Sequence, residues 1–274
     1  MKKKGLITLN NPQLICTVSF GALIILLLSF SACNTNGLIE KSGGDDQIRY
    51  GEYIVENNIW NIQAAKSKWA QTVFFDTING SMGWRWDFSS EPNQIDSFIP
   101  KTYPQIIFGK KPYKKYQTTT TAKLPIELPS AKFSIEYEYS AKATGVYNTS
   151  TDITFTDSKN PVESNIMAKL MIWIDCQDMP FFKSKEFTQA TIGGIHYKVM
   201  VDKEHNWTDG KWIAIAMLAE KFPSSGIMDL TEYINYFLSQ GALKPEWYLS
   251  SIEIGSEVSS GKGEARFKKF IVHN

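Results

Sequence analysis

The chain has 274 residues, of which 43% are hydrophobic and 21% charged, and its formal net charge is +1. This composition is that of an ordinary globular protein, and the length allows one domain with a sizeable core. The near-neutral charge gives no electrostatic reason to expect a nucleic-acid partner.

The first 32 residues have the pattern of a secretory signal peptide. Three lysines at positions 2–4 precede an apolar run that ends at Ser31-Ala32-Cys33. Cys33 resembles the cysteine at the cleavage site of bacterial lipoproteins. The resemblance implies acylation at Cys33 and a membrane-anchored protein in the periplasm or at the cell surface. A plain signal peptide and an uncleaved anchor are the alternatives, because residues 14–32 are nearly long enough to span a membrane.

Cleavage before Cys33 changes the charge balance. It removes three lysines and no acidic residue, which leaves 26 Lys and Arg against 28 Asp and Glu, a net charge of −2. Cys176 is then the only cysteine besides Cys33, so we expect no intrachain disulfide. Residues 33–48 are polar and rich in glycine, which indicates a flexible tether, and we place the folded domain at residues 49–274.

Short apolar runs between turn signals follow from about Arg49. They predict strands at Tyr53–Val55, Val73–Phe75, Gln105–Phe108, Phe133–Tyr139 and Tyr197–Val201. Many short strands favour an all-β sandwich or jelly roll of two packed antiparallel sheets. One helix is expected after Asp229, an N-cap residue, and it should end before Gly241. The lysines at positions 110, 111, 114 and 115 indicate a solvated hairpin.

The sequence gives no motif for a metal or a cofactor. The three histidines lack metal-ligand spacing, and there is no phosphate-binding loop or dinucleotide fingerprint. We therefore expect neither.

Lys169 lies in a predicted strand, Lys169-Leu170-Met171-Ile172-Trp173-Ile174. Side chains alternate between the two faces of a strand, so Lys169, Met171 and Trp173 share one face. The other face is wholly aliphatic and should contact the core. We expect the Lys169 face to be an open concave surface, although a surface Trp covered by a loop is the alternative.

A second predicted strand, Ser251–Glu257, carries Glu253 and Glu257, which lie an even number of positions apart. Both carboxyl groups face one side if the strand is unbroken, although Gly255 between them could insert a bulge. Taken alone, a glutamate on a strand is a weak functional signal.

These segments together resemble the glycoside hydrolases of family 12, which cleave β-1,4-glucans. The resemblance covers nearly all of residues 50–274. It rests on the Lys169 strand, on Glu257 in a Gly-x-Glu-x-x-x-Gly context, and on further segments in family order: Tyr53–Trp60, Trp84-x-Trp86, Lys101–Pro104, Tyr147–Phe155, Gly193-Gly194 and Asp229–Gly241.

The resemblance implies a concanavalin-like jelly roll with one short helix and a long groove across its concave sheet. The implied ligand is a β-1,4-glucan, either cellulose or xyloglucan, and we expect a monomer. Five groove contacts are carried over from the family, namely Asn58, Trp60, Trp86, Met171 and Trp173. In the same way Glu257 takes the acid/base position and Asp152 the position that supports the nucleophile. Lys169 stands where the family has its glutamate nucleophile.

The lysine conflicts with retaining hydrolysis. That reaction needs two carboxyl groups about 5–5.5 Å apart, one of which forms a covalent ester with the sugar. An ammonium group cannot form that ester. We also expect Lys169 to pair with Glu257 and lower its pKa, whereas a general acid needs a raised value.

Three functions remain open from the sequence. The first is a tethered β-glucan-binding protein that has lost hydrolysis. The second is an active endoglucanase in which Glu257 is the acid and Asp152 the base of an inverting pair, which requires roughly 6.5–9.5 Å between the carboxyl groups. The third is a cell-surface adhesion module that only shares the sandwich.

Overall fold

The computed structural model describes residues 37–93, 99–113, 118–178, 187–207 and 210–274. The predicted signal peptide and the predicted lipidation site Cys33 lie outside these residues. Within these ranges no helix has both the length and the apolar character needed to cross a membrane.

Strands make up most of the described chain, as the sequence predicts. Their bounds are β1 Leu38–Lys41, β2 Gln47–Tyr50, β3 Tyr53–Glu56, β4 Ala70–Asp76, β5 Met82–Phe88, β6 Gln105–Lys111, β7 Thr118–Thr119, β8 Ile126–Glu127, β9 Ser134–Ala143, β10 Tyr147–Thr156, β11 Ile166–Gln177, β12 Thr188–Ile192, β13 Ile195–Trp207, β14 Gly210–Ala219, β15 Ser225–Asp229, β16 Tyr248–Val258 and β17 Gly261–His273. Helix α1 spans Leu230–Ser239, and short 3-10 helices span Ile62–Ala64, Leu128–Ser130 and Glu163–Asn165.

The strands form two sheets. The smaller has the order β1-β4-β5-β17-β9-β15, and the larger has the order β12-β13-β14-β11-β10-β16-β6-β3-β2, with β7 on β6 and β8 on β16. Neighbouring strands are antiparallel except β11 and β14, which run parallel. The predicted all-β jelly roll of two packed sheets with one short helix is confirmed.

Alternation along the central strands of the larger sheet separates its two faces. Leu170 and Ile172 on β11 are fully buried in the core between the sheets, together with Ile153 and Ile252 of the neighbouring strands β10 and β16. The opposite face carries Lys169, whose side chain is 15% exposed. The core therefore fixes which side of the sheet faces the ligand, because a slip by one residue would exchange the two faces.

Helix α1 begins as the sequence predicts. The carboxylate of Asp229 accepts a hydrogen bond from the Thr231 N–H at 2.9 Å. Leu230, Ile234 and Phe237 bury one helical face. Gly241 follows the last turn with a φ of +67°, the left-handed conformation that ends many helices.

The predicted tether is wrong in its extent. Strands β1 and β2 lie within or overlap residues 33–48, where β1 pairs with β4 and β2 with β3. Each of these short strands is anchored by a single apolar residue, since Ile48 is buried in the core and Ile39 packs against it. The folded domain therefore begins by Leu38.

Candidate active site

A polar cluster occupies the concave face of the larger sheet, centred on β10. Asp152 lies opposite Met171 of β11 on one side and opposite Glu253 of β16 on the other. Its Oδ2 is 3.5 Å from the Lys169 Nζ, and its Oδ1 accepts a 2.6 Å hydrogen bond from the Ser150 hydroxyl. The structure thus brings together Lys169 and Asp152, two of the three residues predicted for the catalytic positions.

Glu257 lies on the same face, held by Asn148 of β10. The Asn148 amide nitrogen donates to Glu257 Oε2 at 2.7 Å, and the Glu257 backbone N–H donates to Asn148 Oδ1 at 3.2 Å. These two hydrogen bonds fix both the backbone and the carboxyl group of Glu257. Asn148 is absent from the predicted site residues, although alternation along β10 places it on the Asp152 face and so provides a signal for it.

Gly255 does not introduce a bulge. The register between β10 and β16 runs without a shift from Ser251 to Val258, so Glu253 and Glu257 do share a face. A side chain at Gly255 would approach the Tyr103 ring to 2.6 Å. The glycine instead makes room for Tyr103, whose ring packs on the strand between the two glutamates.

Lys111 is buried, which corrects the prediction that its lysine run is solvated. Its Nζ lies 3.5 Å from Glu56 and 3.6 Å from Glu253, and the side chains of both glutamates are fully buried. The hydroxyl of Ser251 also donates to Glu253 at 2.7 Å. Lys111 thus places one positive charge between two buried carboxylates on the floor of the concave face. No local pattern distinguishes it from Lys110, because its partners lie about 55 residues before it and 140 after it.

Tyr113 covers Lys169. The ring centroid is 4.7 Å from the Lys169 Nζ, a cation–π distance. The sequence does not predict this role for Tyr113, because the contact joins β11 to a turn residue beyond the end of β6, and the two segments are not neighbours in the sheet.

The pKa of Glu257 is raised to about 7. Burial is the main cause and the charge of Asp152 adds to it, whereas the hydrogen bond from Asn148 and the charge of Lys169 oppose it. The expectation that Lys169 lowers the pKa of Glu257 below its ordinary value is therefore wrong, because burial outweighs the lysine. A carboxyl group with this pKa is suited to general-acid catalysis near neutral pH.

The pKa values of Lys169 and Asp152 are both raised. Burial alone would lower the pKa of Lys169, but Tyr113 and the carboxylates of Asp152, Glu253 and Glu257 outweigh it. Burial raises the pKa of Asp152 against the opposing charge of Lys169. Lys169 is therefore an ammonium ion at neutral pH and has no free electron pair with which to attack a sugar.

The predicted sugar contacts fall into two groups. Trp60 is 42% exposed, and its backbone N–H donates to the Asn58 side chain at 3.2 Å, so Asn58 holds the turn that presents the Trp60 ring. Met171 is half-buried, and Trp173 is only 3% exposed although it lies on the concave side of β11. Trp60 is thus the exposed aromatic residue of the set, whereas Asn58 and Trp173 are buried.

Trp86 does not line the concave face. It belongs to the smaller sheet, is 3% exposed and packs against Tyr147 with ring centroids 5.5 Å apart in the core between the sheets. The prediction that Trp86 contacts the ligand is wrong. Alternation places Trp84 and Trp86 on the same face but does not say whether that face is the inner or the outer one.

Other reactive groups in the described ranges do not form a second centre. No group of three His, Cys, Asp or Glu side chains there is placed to hold a metal ion. Cys176 is a free thiol whose pKa is raised by burial, which makes it a poor nucleophile.

A raised carboxyl pKa on the same sheet face as a second carboxyl group is a feature that glycoside hydrolases use, and the family itself is shown by a sequence match. The family model "Glycosyl hydrolase family 12" matches residues 51–273. The chain therefore belongs to glycoside hydrolase family 12.

Individual relatives agree with this assignment. The chain is 28% identical to endoglucanase S of Pectobacterium parmentieri over 251 residues, which cover 89% of each chain. It is 24% identical to "Inactive glycoside hydrolase XLP1" of Phytophthora nicotianae, covering 77% of this chain and 81% of that one. The fold matches a family 12 xyloglucanase from Bacillus licheniformis with a TM-score of 0.74 at 23% identity, over 85% of this chain and 98% of the other.

Removing the Lys111 ammonium should destabilise the fold. Lys111→Met removes an ammonium group that lies against two buried carboxylates, so we expect the free energy of unfolding to fall by about 3 kcal/mol in urea denaturation at pH 7. Adding Glu253→Gln should recover part of this loss, since it removes one unpaired charge. Lys132→Met, at an exposed lysine, is the matched control. Equal stability of Lys111→Met and the control would contradict the burial of this ion pair.

Glu257 should make stability depend on pH. Its pKa rises from an ordinary 4.5 to about 7 on folding, so the folded state holds a proton that the unfolded state releases. Through this group, the free energy of unfolding should fall as the pH rises from about 4.5 to about 7. Glu257→Gln should lose less stability than wild type between pH 5 and 7.5 in urea titrations. Glu246→Gln, at an exposed glutamate, should behave as wild type; the same behaviour in Glu257→Gln would exclude a raised pKa at Glu257.

Proposed function

We propose that this protein binds β-1,4-glucan chains and does not hydrolyse them by the retaining route of its family. The observation that carries the proposal is the ammonium group of Lys169, ion-paired with Asp152 at 3.5 Å. By resemblance, Lys169 occupies the position of the nucleophile. A positive charge there would also oppose the oxocarbenium-like transition state that a carboxylate stabilises.

The rest of the site supports binding. Glu257 is fixed by Asn148, and Trp60 presents an exposed ring beside the same sheet. The name of the XLP1 relative describes that protein as inactive, while endoglucanase S and the B. licheniformis structure carry the names of active enzymes. The family thus includes both kinds of member, and the difference here would rest on residue 169.

A second function, inverting hydrolysis, is favoured by one observation. The pKa of Glu257, at about 7, is that of a general acid. Asp152 would then serve as the base that activates water. Its ion pair with Lys169 stabilises the carboxylate and so opposes the proton uptake that a base requires. We therefore rank this function second.

The decisive experiment compares wild type and Lys169→Glu on xyloglucan and carboxymethyl-cellulose. We expect wild type to bind both polymers in affinity electrophoresis without releasing reducing ends. We expect Lys169→Glu to gain activity because it restores a carboxylate and removes the ammonium that holds the Tyr113 ring over the site. Lys169→Gln, which removes the charge without adding a carboxylate, is the control and should stay inactive. Hydrolysis by wild type would overturn the binding proposal. The anomer of its first product would then test the Asp152 route, which predicts inversion.

We also propose that the protein is a lipoprotein anchored through Cys33, as the signal pattern indicates. Mass spectrometry of the mature N-terminus tests this directly. The expected N-terminal residue is a Cys33 that carries acyl chains. A mature chain that begins elsewhere, or with an unmodified Cys33, would contradict the anchor.

A further inference from the structure

The end of β6 and the residues beyond it cross the concave face. Lys111 lies six residues beyond Gln105, the β6 partner of Glu56. In a straight strand six residues span about 20 Å, farther than a lysine and a glutamate side chain reach together, yet the Lys111 Nζ is 3.5 Å from Glu56. The chain must therefore fold back over its own sheet, and Gly109, with a φ of +99°, lies where it turns.

The same segment reaches the strand that carries Lys169. Between β6 and β11 lie β16 and β10, so the two strands are three spacings apart, about 14 Å. The Tyr113 ring nevertheless lies 4.7 Å from the Lys169 Nζ. Residues 109–113 thus extend over the floor of the groove, with Lys111 as the attachment point and Tyr113 at the far end.

The cover explains an unexpected pattern of burial. Asp152 is 2% exposed and Glu253 is not exposed at all, although both lie on the face that should be open to a ligand. Burial also raises the pKa of Tyr113 to about 12, against the opposing charge of Lys169. The predicted long open groove is therefore covered over Asp152 and Glu253. Met171 and Glu257 on the same face remain half-buried.

We propose that Tyr113 fills the position over Lys169 that a sugar ring would occupy in an open groove, and so removes one sugar subsite. The inference rests on the proposed glucan-binding function. A retaining nucleophile must contact the sugar that it attacks, so the space over its position is a sugar subsite. Here an aromatic ring lies in that space, and the contact between ring and ammonium holds it there. Tyr113 then determines how long a glucan segment the groove accepts.

Calorimetric titration with β-1,4-linked gluco-oligosaccharides of increasing length tests this in the full chain. Tyr113→Ala should bind the longest oligosaccharides about fivefold more tightly than wild type, roughly 1 kcal/mol. It should bind the disaccharide equally well, because a short ligand does not reach the freed position. Tyr113→Phe keeps the ring and should follow wild type. Equal or weaker binding of every length by Tyr113→Ala would overturn the proposal.

Chemical labelling separates this inference from the glucan proposal. With an amine-acetylating reagent and mass spectrometry, Lys169 should react slowly in wild type and several-fold faster in Tyr113→Ala, while the exposed Lys262 reacts alike in both. Fast labelling of Lys169 in wild type would refute the ring contact. If Lys169 is protected but no variant binds any oligosaccharide, the glucan function fails and the subsite with it, while the ring contact stands.

Discussion

The arrangement of the concave face depends on the pairing of buried charges. A buried carboxylate without a cation is costly, and the larger sheet carries several on one face. Lys169 neutralises Asp152, and Lys111 lies between Glu56 and Glu253. The second pairing is possible only because the chain turns back at Gly109, near the end of β6. The backbone at the turn excludes a side chain, since a Cβ on Gly109 would lie 2.7 Å from the Ser250 carbonyl oxygen. The same turn places Tyr113 against Lys169. The pairing of Lys111 with buried carboxylates therefore also determines which side chain covers the site.

The sequence predicts the strands and the faces of the central strands well, because both follow from local alternation. Alternation alone assigns Leu170 to the core and Lys169 to the opposite face. It also places Asp152 and Glu257 on that opposite face, once the pairing of their strands is given. The helix is predicted equally well, since its cap at Asp229 and its termination at Gly241 are local.

Contacts between distant segments cannot be predicted in this way. Trp86 has the same alternation whether its face is inside or outside, and only the packing of the two sheets decides. Lys111 differs from its neighbour Lys110 in its tertiary contacts, which the local sequence does not show. The sequence predicts the pKa of Glu257 in the wrong direction, because the effect of Lys169 is visible in it whereas the larger effect of burial is not. The strands β1 and β2 escape prediction because short strands at a sheet edge need little apolar content.

By resemblance, Lys169 replaces the nucleophile of the retaining pair, whereas the acid, Glu257, keeps the raised pKa that its role requires. The raised pKa of Glu257 comes first from its own burial, which does not depend on residue 169. The hydrogen bond from Asn148 that fixes its carboxyl group is likewise independent of that residue. Lys169 itself holds Asp152 in an ion pair and the Tyr113 ring in a cation–π contact. A glutamate at position 169 would supply the second carboxyl group and would also end the contact that keeps the ring over that position. This is why exchanging this one residue is expected to separate binding from hydrolysis.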